Sequence, residues 1–179
     1  MHIGKLDFKP INESFDLVAH TIKESVQGTT LAASIYVAKI NPDLADTALF
    51  CKAHDVDLAI STNCLIIEAT RADRTWYAAC LILATDMADI NGVIRKHLNA
   101  RKTSFAPIDI ALKFTHMEYG GITPLGLPKE WPILIDGAVM KHDVVVIGGG
   151  IRGSKIAIKT TAFSLLPQST ILKMTKTLT

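Results

Sequence analysis

The sequence predicts one α/β domain of the α+β type, built on a mixed and largely antiparallel sheet. Three observations carry that expectation. The 179 residues fit the ~100–200 residues of a single domain. Helical and strand-like patterns follow one another irregularly, and two strand-like runs are separated only by the turn Arg71-Ala72-Asp73-Arg74, which makes antiparallel neighbours. The glycine run VVVIGGGIRG at 144–153 is followed by alternating SKIAIKT, a strand pattern, where a doubly wound fold would open a helix.

Composition bounds the class. With 49% hydrophobic and 20% charged residues the chain can bury a core and is not a disordered tail. No apolar run reaches the ~18 residues of a spanning helix. Lys5, Asp7 and Lys9 lie where a signal peptide would need its apolar stretch, so the cytoplasm is the expected location. A net charge of +2 is too small to argue for nucleic acid by itself. Cys51, Cys64 and Cys80 form no CxxC pair and are expected in the core. His20, His54, His116 and His142 show no ligand spacing, and neither a metal nor a cofactor is expected.

In chain order, residues 1–13 are expected as an extended lead-in, 14–166 as the folded domain and 167–179 as a tail. Residues 15–26 place Phe15, Val18, Ala19, Ile22 and Val26 on one helical face, with Ser14 as cap and Gly28 as stop. The β-branched run 29–40 suggests a strand, Asn41-Pro42 a turn, and Asp43 the cap of a helix ending near Asp57. Strands follow at 62–68 and 75–83. A helix is expected over 86–98, acids Asp86 and Asp89 first and Arg95, Lys96 and His97 last, the order that suits the helix dipole. Beyond a short strand at 104–106, Pro107 opens a helix to Met117. Strands are expected at 131–136, 143–148 and 154–160, and a short helix at 161–166. Trp76 and Trp131 are expected to pack in the interior.

Gly148, Gly150 and Gly153 satisfy GxGxxG after an apolar run, the pattern of a flavin or nicotinamide site. That motif needs a following helix and an acid about 20 residues on. No Asp or Glu follows Gly150, so the dinucleotide reading fails.

The stretch 115–158 holds the more informative pattern. Gly120 and Gly121 precede Pro124, a short apolar run ends in Asp136, and Gly148, Gly149 and Gly150 follow. Glycine concentrates where φ must be positive or where another group approaches the backbone closely. This order of GxxxP loop, strand ending in an acid, glycine-arginine-glycine turn and final strand resembles the YbaK/EbsC family of prolyl-tRNA-synthetase-associated editing domains. The resemblance runs from about Phe15 to Leu166.

The resemblance implies a largely antiparallel sheet curled into a partial barrel and surrounded by helices. It implies hydrolysis, in trans, of the ester joining a wrong amino acid, small and on a tRNA such as tRNA-Pro, to the RNA 3′ end. The implied partners are mischarged tRNA and an aminoacyl-tRNA synthetase, with no metal and no covalent nucleophile. The implied catalytic residues are Asp136, Gly120 and Asn63. Substrate binding falls to Gly121, Thr123, Pro124, Gly148, Gly149, Gly150 and Arg152. The basic cluster Arg95, Lys96, Arg101 and Lys102 would track RNA.

Each has a plainer alternative: a turn acid at Asp136, tight turns or a strand bulge at the glycines, solvated charge at Arg152, and dipole complementarity in the basic cluster. One departure stands out. The family's usual lysine opens the strand that here reads Thr62-Asn63-Cys64-Leu65-Ile66, and Asn63 occupies its place. Asparagine donates and accepts hydrogen bonds but offers no charge to phosphate, and Lys52 is not in register to replace it. A second is Tyr119, where the family often has proline. Two outcomes are open: deacylation with Asn63 as the working group, or a module that binds aminoacyl-tRNA, an amino acid or a synthetase without hydrolysis.

Overall fold

A computed structural model describes residues 1–177. Its strands and helices run β1 (His2–Ile3), β2 (Leu6–Asp7), β3 (Lys9–Pro10), α1 (His20–Val26), β4 (Ile35–Lys39), α2 (Thr47–His54), β5 (Thr62–Arg71), β6 (Arg74–Leu83), β7 (Asp86–Ala88), α3 (Arg95–His97), β8 (Lys102–Phe105), α4 (Ile108–Thr115), β9 (Ile133–Asp136), β10 (Val144–Gly148), β11 (Ser154–Lys159), β12 (Ser169–Leu172) and β13 (Thr175–Thr177).

Two larger sheets form the body. One is ordered β12-β9-β6-β5-β8, the other β10-β11-β4-β3. All pairings are antiparallel except β6–β9 and β9–β12. The sheets meet at a bridge between Ser61 and Val146, reinforced by Thr62 Oγ1 donating to Val146 O at 2.9 Å. Among the described residues no sheet closes on itself. The mixed, largely antiparallel architecture is as expected, without barrel closure.

The β5–β6 hairpin turns through Ala72 and Asp73, with Ala72 at φ 49°. Alternation along β5 explains its two covered faces. Ile67 and Ala69 pack against Ile94, Leu98 and Met174, whereas Ile66 packs against Ala111 and Trp131. The largest core, with Ile22, Val37, Leu81, Ile135, Ile156 and Phe163, lies between the two sheets.

Several elements differ from expectation, each for a tertiary reason. The helix expected from residue 15 begins at His20, because the Ala19 N–H is drawn to Gly149 O (3.1 Å) and Val18 is extended. Residues 30–34 form a 3-10 turn before β4. Asp46, not Asp43, caps α2, accepting from Ala48 N and Leu49 N. The helix expected at 86–98 begins only at Ile90, opening as a π-turn, because 86–88 are taken as a strand by β13. That partner lies in the stretch expected as a tail. Its described part instead carries β12, inserted parallel beside β9, and β13; residues 178 and 179 lie outside the described residues.

Candidate functional site

A cleft of about 620 Å³ opens where the two sheets meet, between the N-terminal turns of α2 and α4 and the start of β5. A second groove of about 670 Å³ runs along α1 beside Pro124, Trp131 and Leu166. Two of its hydroxyls are used locally, Ser25 Oγ donating to Ile22 O and Thr29 Oγ1 to Val26 O, and Thr21 Oγ1 donates to Thr115 O. In the first cleft, polar groups converge from four elements, and convergence is the better mark of a ligand site.

Asn63, on β5, lines that cleft. Its Oδ1 accepts from Thr47 Oγ1 on α2 at 2.9 Å. This fixes the carboxamide and leaves its Nδ2 donors with no protein partner among the described residues. Gly120 and Gly148 line the same cleft. Gly120 sits at φ 82°, and its N–H has no protein acceptor among the described residues.

The two glycine loops are laced together by backbone. Gly150 N donates to Gly121 O and Glu118 N to Gly150 O, both at 2.8 Å. Arg152 completes the seam: its N–H donates to Glu118 Oε2 (2.6 Å) and its Nη1 to Tyr119 O (3.2 Å). Sequence had set these glycines around a pocket. In the structure Gly121, Gly149 and Gly150 form the seam behind the cleft wall, and among the glycines only Gly120 and Gly148 reach the cleft itself.

Three other expected site residues are placed elsewhere. Asp136 does not line the cleft. It is buried, accepting from Ala138 N at 2.8 Å and Met174 N at 2.7 Å. Thr123 is fully buried, its hydroxyl without a partner among the described residues. Pro124 faces the second groove. Of the basic cluster, Arg95 Nε is tied to Asn91 O, and Lys102 pairs with Thr70. Phe105, at the other end of β8, is on the cleft rim; at ~3.3 Å per strand residue the cluster begins about 10 Å from it.

The residue that sequence reasoning missed is Lys155. Its side chain lines the cleft yet only 5% of the residue is exposed, and its Nζ donates to Ala45 O at 2.8 Å, 5.2 Å above the Phe50 ring. The signal was present: residues 154–159 form a strand whose neighbours Ile156, Ala157 and Ile158 are apolar, and a lysine amid such a run is seldom buried without a task. Burial pushes its ammonium from 10.5 down to about 8, against the opposing pull of Cys51 and Asp46. Cys64 also lines the cleft, with burial pushing its thiol up to about 12. It is a neutral thiol at neutral pH, unfit as a nucleophile.

The Lys155 shift has a signed consequence. Below about pH 8 the amine is charged in both folded and unfolded chains, and the burial cost is constant. Between 8 and 10.5 the unfolded chain holds a proton the folded chain has shed, so this site's contribution to stability rises with pH. The buried thiols of Cys51, Cys64 and Cys80, pushed up by burial, act oppositely as the unfolded thiols ionise near pH 9. Comparison with Lys155→Met isolates the lysine. The variant is expected to be more stable at pH 7 by roughly 1–3 kcal/mol, the gap shrinking by pH 10. A gap independent of pH, measured by urea unfolding, would show that the lysine stays charged throughout.

Comparison with known proteins agrees with this architecture. The model of the aminoacyl-tRNA editing domain matches residues 41–164. The chain belongs to that family. Among solved structures it resembles a protein described as a candidate trans-editing enzyme for prolyl tRNA synthetase, at TM-score 0.74 and 12% identity over 87% of this chain and 95% of that one. A hypothetical protein of unstated activity matches at TM-score 0.76 and 13% identity, over 88% and 100%. A candidate signal transduction protein from Marinobacter aquaeolei matches at 0.58 and 14%, over 87% of this chain and 30% of that. At such identities the structural likenesses speak for the fold alone. No helix of the described residues is long and apolar enough to cross a membrane, and no cluster of His, Cys, Asp and Glu among them could hold a metal.

Proposed function

We propose that this chain is a cytoplasmic, trans-acting deacylase. It removes a small amino acid from a mischarged tRNA, with tRNA-Pro the first candidate. One observation carries the reading most: donors of Asn63 and Gly120 without protein acceptors among the described residues lie at the cleft, with no ionised nucleophile between them. That is the equipment for stabilising negative charge on an attacked ester carbonyl. It leaves water, oriented by Asn63 and helped by the ribose hydroxyl of the substrate, to do the attacking.

The rim suits the rest of the substrate. Leu49, Phe105, Ile108 and Tyr119 are large, apolar and exposed around the mouth; the two aromatic rings, Phe105 and Tyr119, are of the kind that stacks unpaired bases. Arg101 and Lys102, with Arg95 and Lys96 beyond them, would take the phosphates of the descending strand. A synthetase partner would deliver the mischarged RNA.

A binding-only module is the second reading. It draws on the cleft's lack of an imidazole and on Asp46, whose carboxylate is committed to capping α2. The test is a deacylation screen against tRNAs charged with alanine, serine, cysteine and threonine. Hydrolysis of one of them, lowered about 100-fold by Asn63→Ala, is expected; that is the typical cost of one oxyanion donor. Binding without hydrolysis, with hydrolysis appearing in Asn63→Lys, would establish the module instead. Neither binding nor hydrolysis would sink both.

A further inference from the structure

We infer that Lys155 is the anion anchor of the cleft, its ammonium holding the phosphodiester that precedes the 3′-terminal nucleoside. The identity of that anion rests on the editing reading; the existence of an anion site does not.

A buried ammonium is costly unless it is paired. Lys155 has one protein acceptor, Ala45 O, for three N–H donors, and no carboxylate among the described residues lies within ion-pair distance. The acid near enough to matter, Asp46, faces its own helix and accepts from Ala48 N and Leu49 N. The other titratable neighbours do not neutralise it: the Cys51 thiol is held protonated by burial, and Arg152 adds a second positive charge from the same loop–strand segment. The free protein therefore keeps an incompletely satisfied cation at the base of an open cleft. A fold that needed only packing here would be served by an apolar chain resting on Phe50.

The bound state supplies what is missing. An anion at Lys155 restores pairing inside a site where screening by water is weak. The charge also orients the substrate. The α-ammonium of an aminoacyl ester is repelled from this end, so the amino acid must lie on the far side of the ester, toward Asn63 and Gly120. The phosphate enters at Lys155, and the base is left at the rim formed by Phe105 and Tyr119.

The experiment uses the full chain and a cytidine-cytidine-adenosine trinucleotide carrying alanine through a stable 3′ amide. A second probe is identical except that its last phosphodiester is a neutral methylphosphonate. Affinities are measured by calorimetry for the natural protein and for Lys155→Met at pH 7. The natural protein is expected to prefer the charged probe by about 10-fold or more, the worth of one charge-assisted hydrogen bond. Lys155→Met is expected to bind both probes equally, with its affinity for the neutral probe unchanged, a result that a folding defect could not give.

Three results would overturn the proposal. A preference that survives in Lys155→Met would assign the phosphate to another group, such as Arg152. No preference in the natural protein would mean that the phosphodiester does not reach the lysine. Equal loss of both probes in the variant would make the lysine structural. An acidic amino-acid amide in place of alanine tests the other anion source: if it alone brings Lys155-dependent affinity, the lysine reads side chains and not phosphate. Deacylation is scored separately, so an inactive protein that still shows the preference refutes the editing reading and keeps the anion site.

Discussion

Gly148→Ala is expected to destabilise the protein by on the order of 3 kcal/mol, the upper range for forcing atoms into a filled interior. A Cβ built on Gly148 falls 2.7 Å from the Gly121 carbonyl carbon and 2.8 Å from Ile122 O. Both neighbours are backbone, so no side chain can swing aside, and the whole 120–122 loop must retreat. That loop is held from the other side by the Gly150 N–H on Gly121 O and by the Arg152 Nη1 on Tyr119 O. For a domain of this size the melting temperature should fall by about 6–12 °C. Deacylation should fall further than the folded fraction, because the displaced loop carries Gly120. Gly137→Ala is the control: its nearest foreign atom, Leu172 O, is 3.9 Å away, and the expected change is within about 0.5 kcal/mol. A Gly148→Ala protein that melts within 2 °C of the natural one would show that the two loops are not locked together.

The behaviour of these glycines shows what a chain of letters reveals and what it hides. Their clustering is legible because close backbone approach leaves a compositional mark. Which molecule approaches is not, and here much of the approach is one loop to the other. The β5–β6 hairpin was legible too, from two strand-like runs around a short turn, and its register follows from alternation. The helix ends were less so. Asp43 and Asp46 are equally good caps on paper, and the choice falls on the one whose carboxylate reaches the first free N–H groups of α2. The C-terminal strands were illegible because Ser169–Leu172 and Thr175–Thr177 are only four and three residues long, too short to show a period. Their partners β9 and β7 lie far away in sequence, and β7 was hidden inside an apparent helix. Lys155 escaped because an alternating strand does not say which face looks into a cleft.

Asp136→Ala is the second large effect, and its character separates chemistry from architecture. Both carboxylate oxygens are occupied: one accepts from Ala138 N, which turns the chain after β9, the other from Met174 N, between β12 and β13. Hydrogen bonds to a charged group contribute ~1.5–3 kcal/mol each. Relief of a buried charge offsets part of their loss, so the net cost should be about 3 kcal/mol, again about 6–12 °C in melting temperature. The damage should concentrate at the chain's end, where Met174 loses its anchor and β12 and β13 become open to proteases ahead of global unfolding. Asp136→Asn should restore only part of the stability. Its amide presents one acceptor to Ala138 or Met174 and sets an N–H against the other donor. Activity per folded molecule should survive at low temperature, since the carboxylate does not line the cleft. A variant that keeps its stability but loses deacylation would return Asp136 to the chemistry and require the cleft to be redrawn around it.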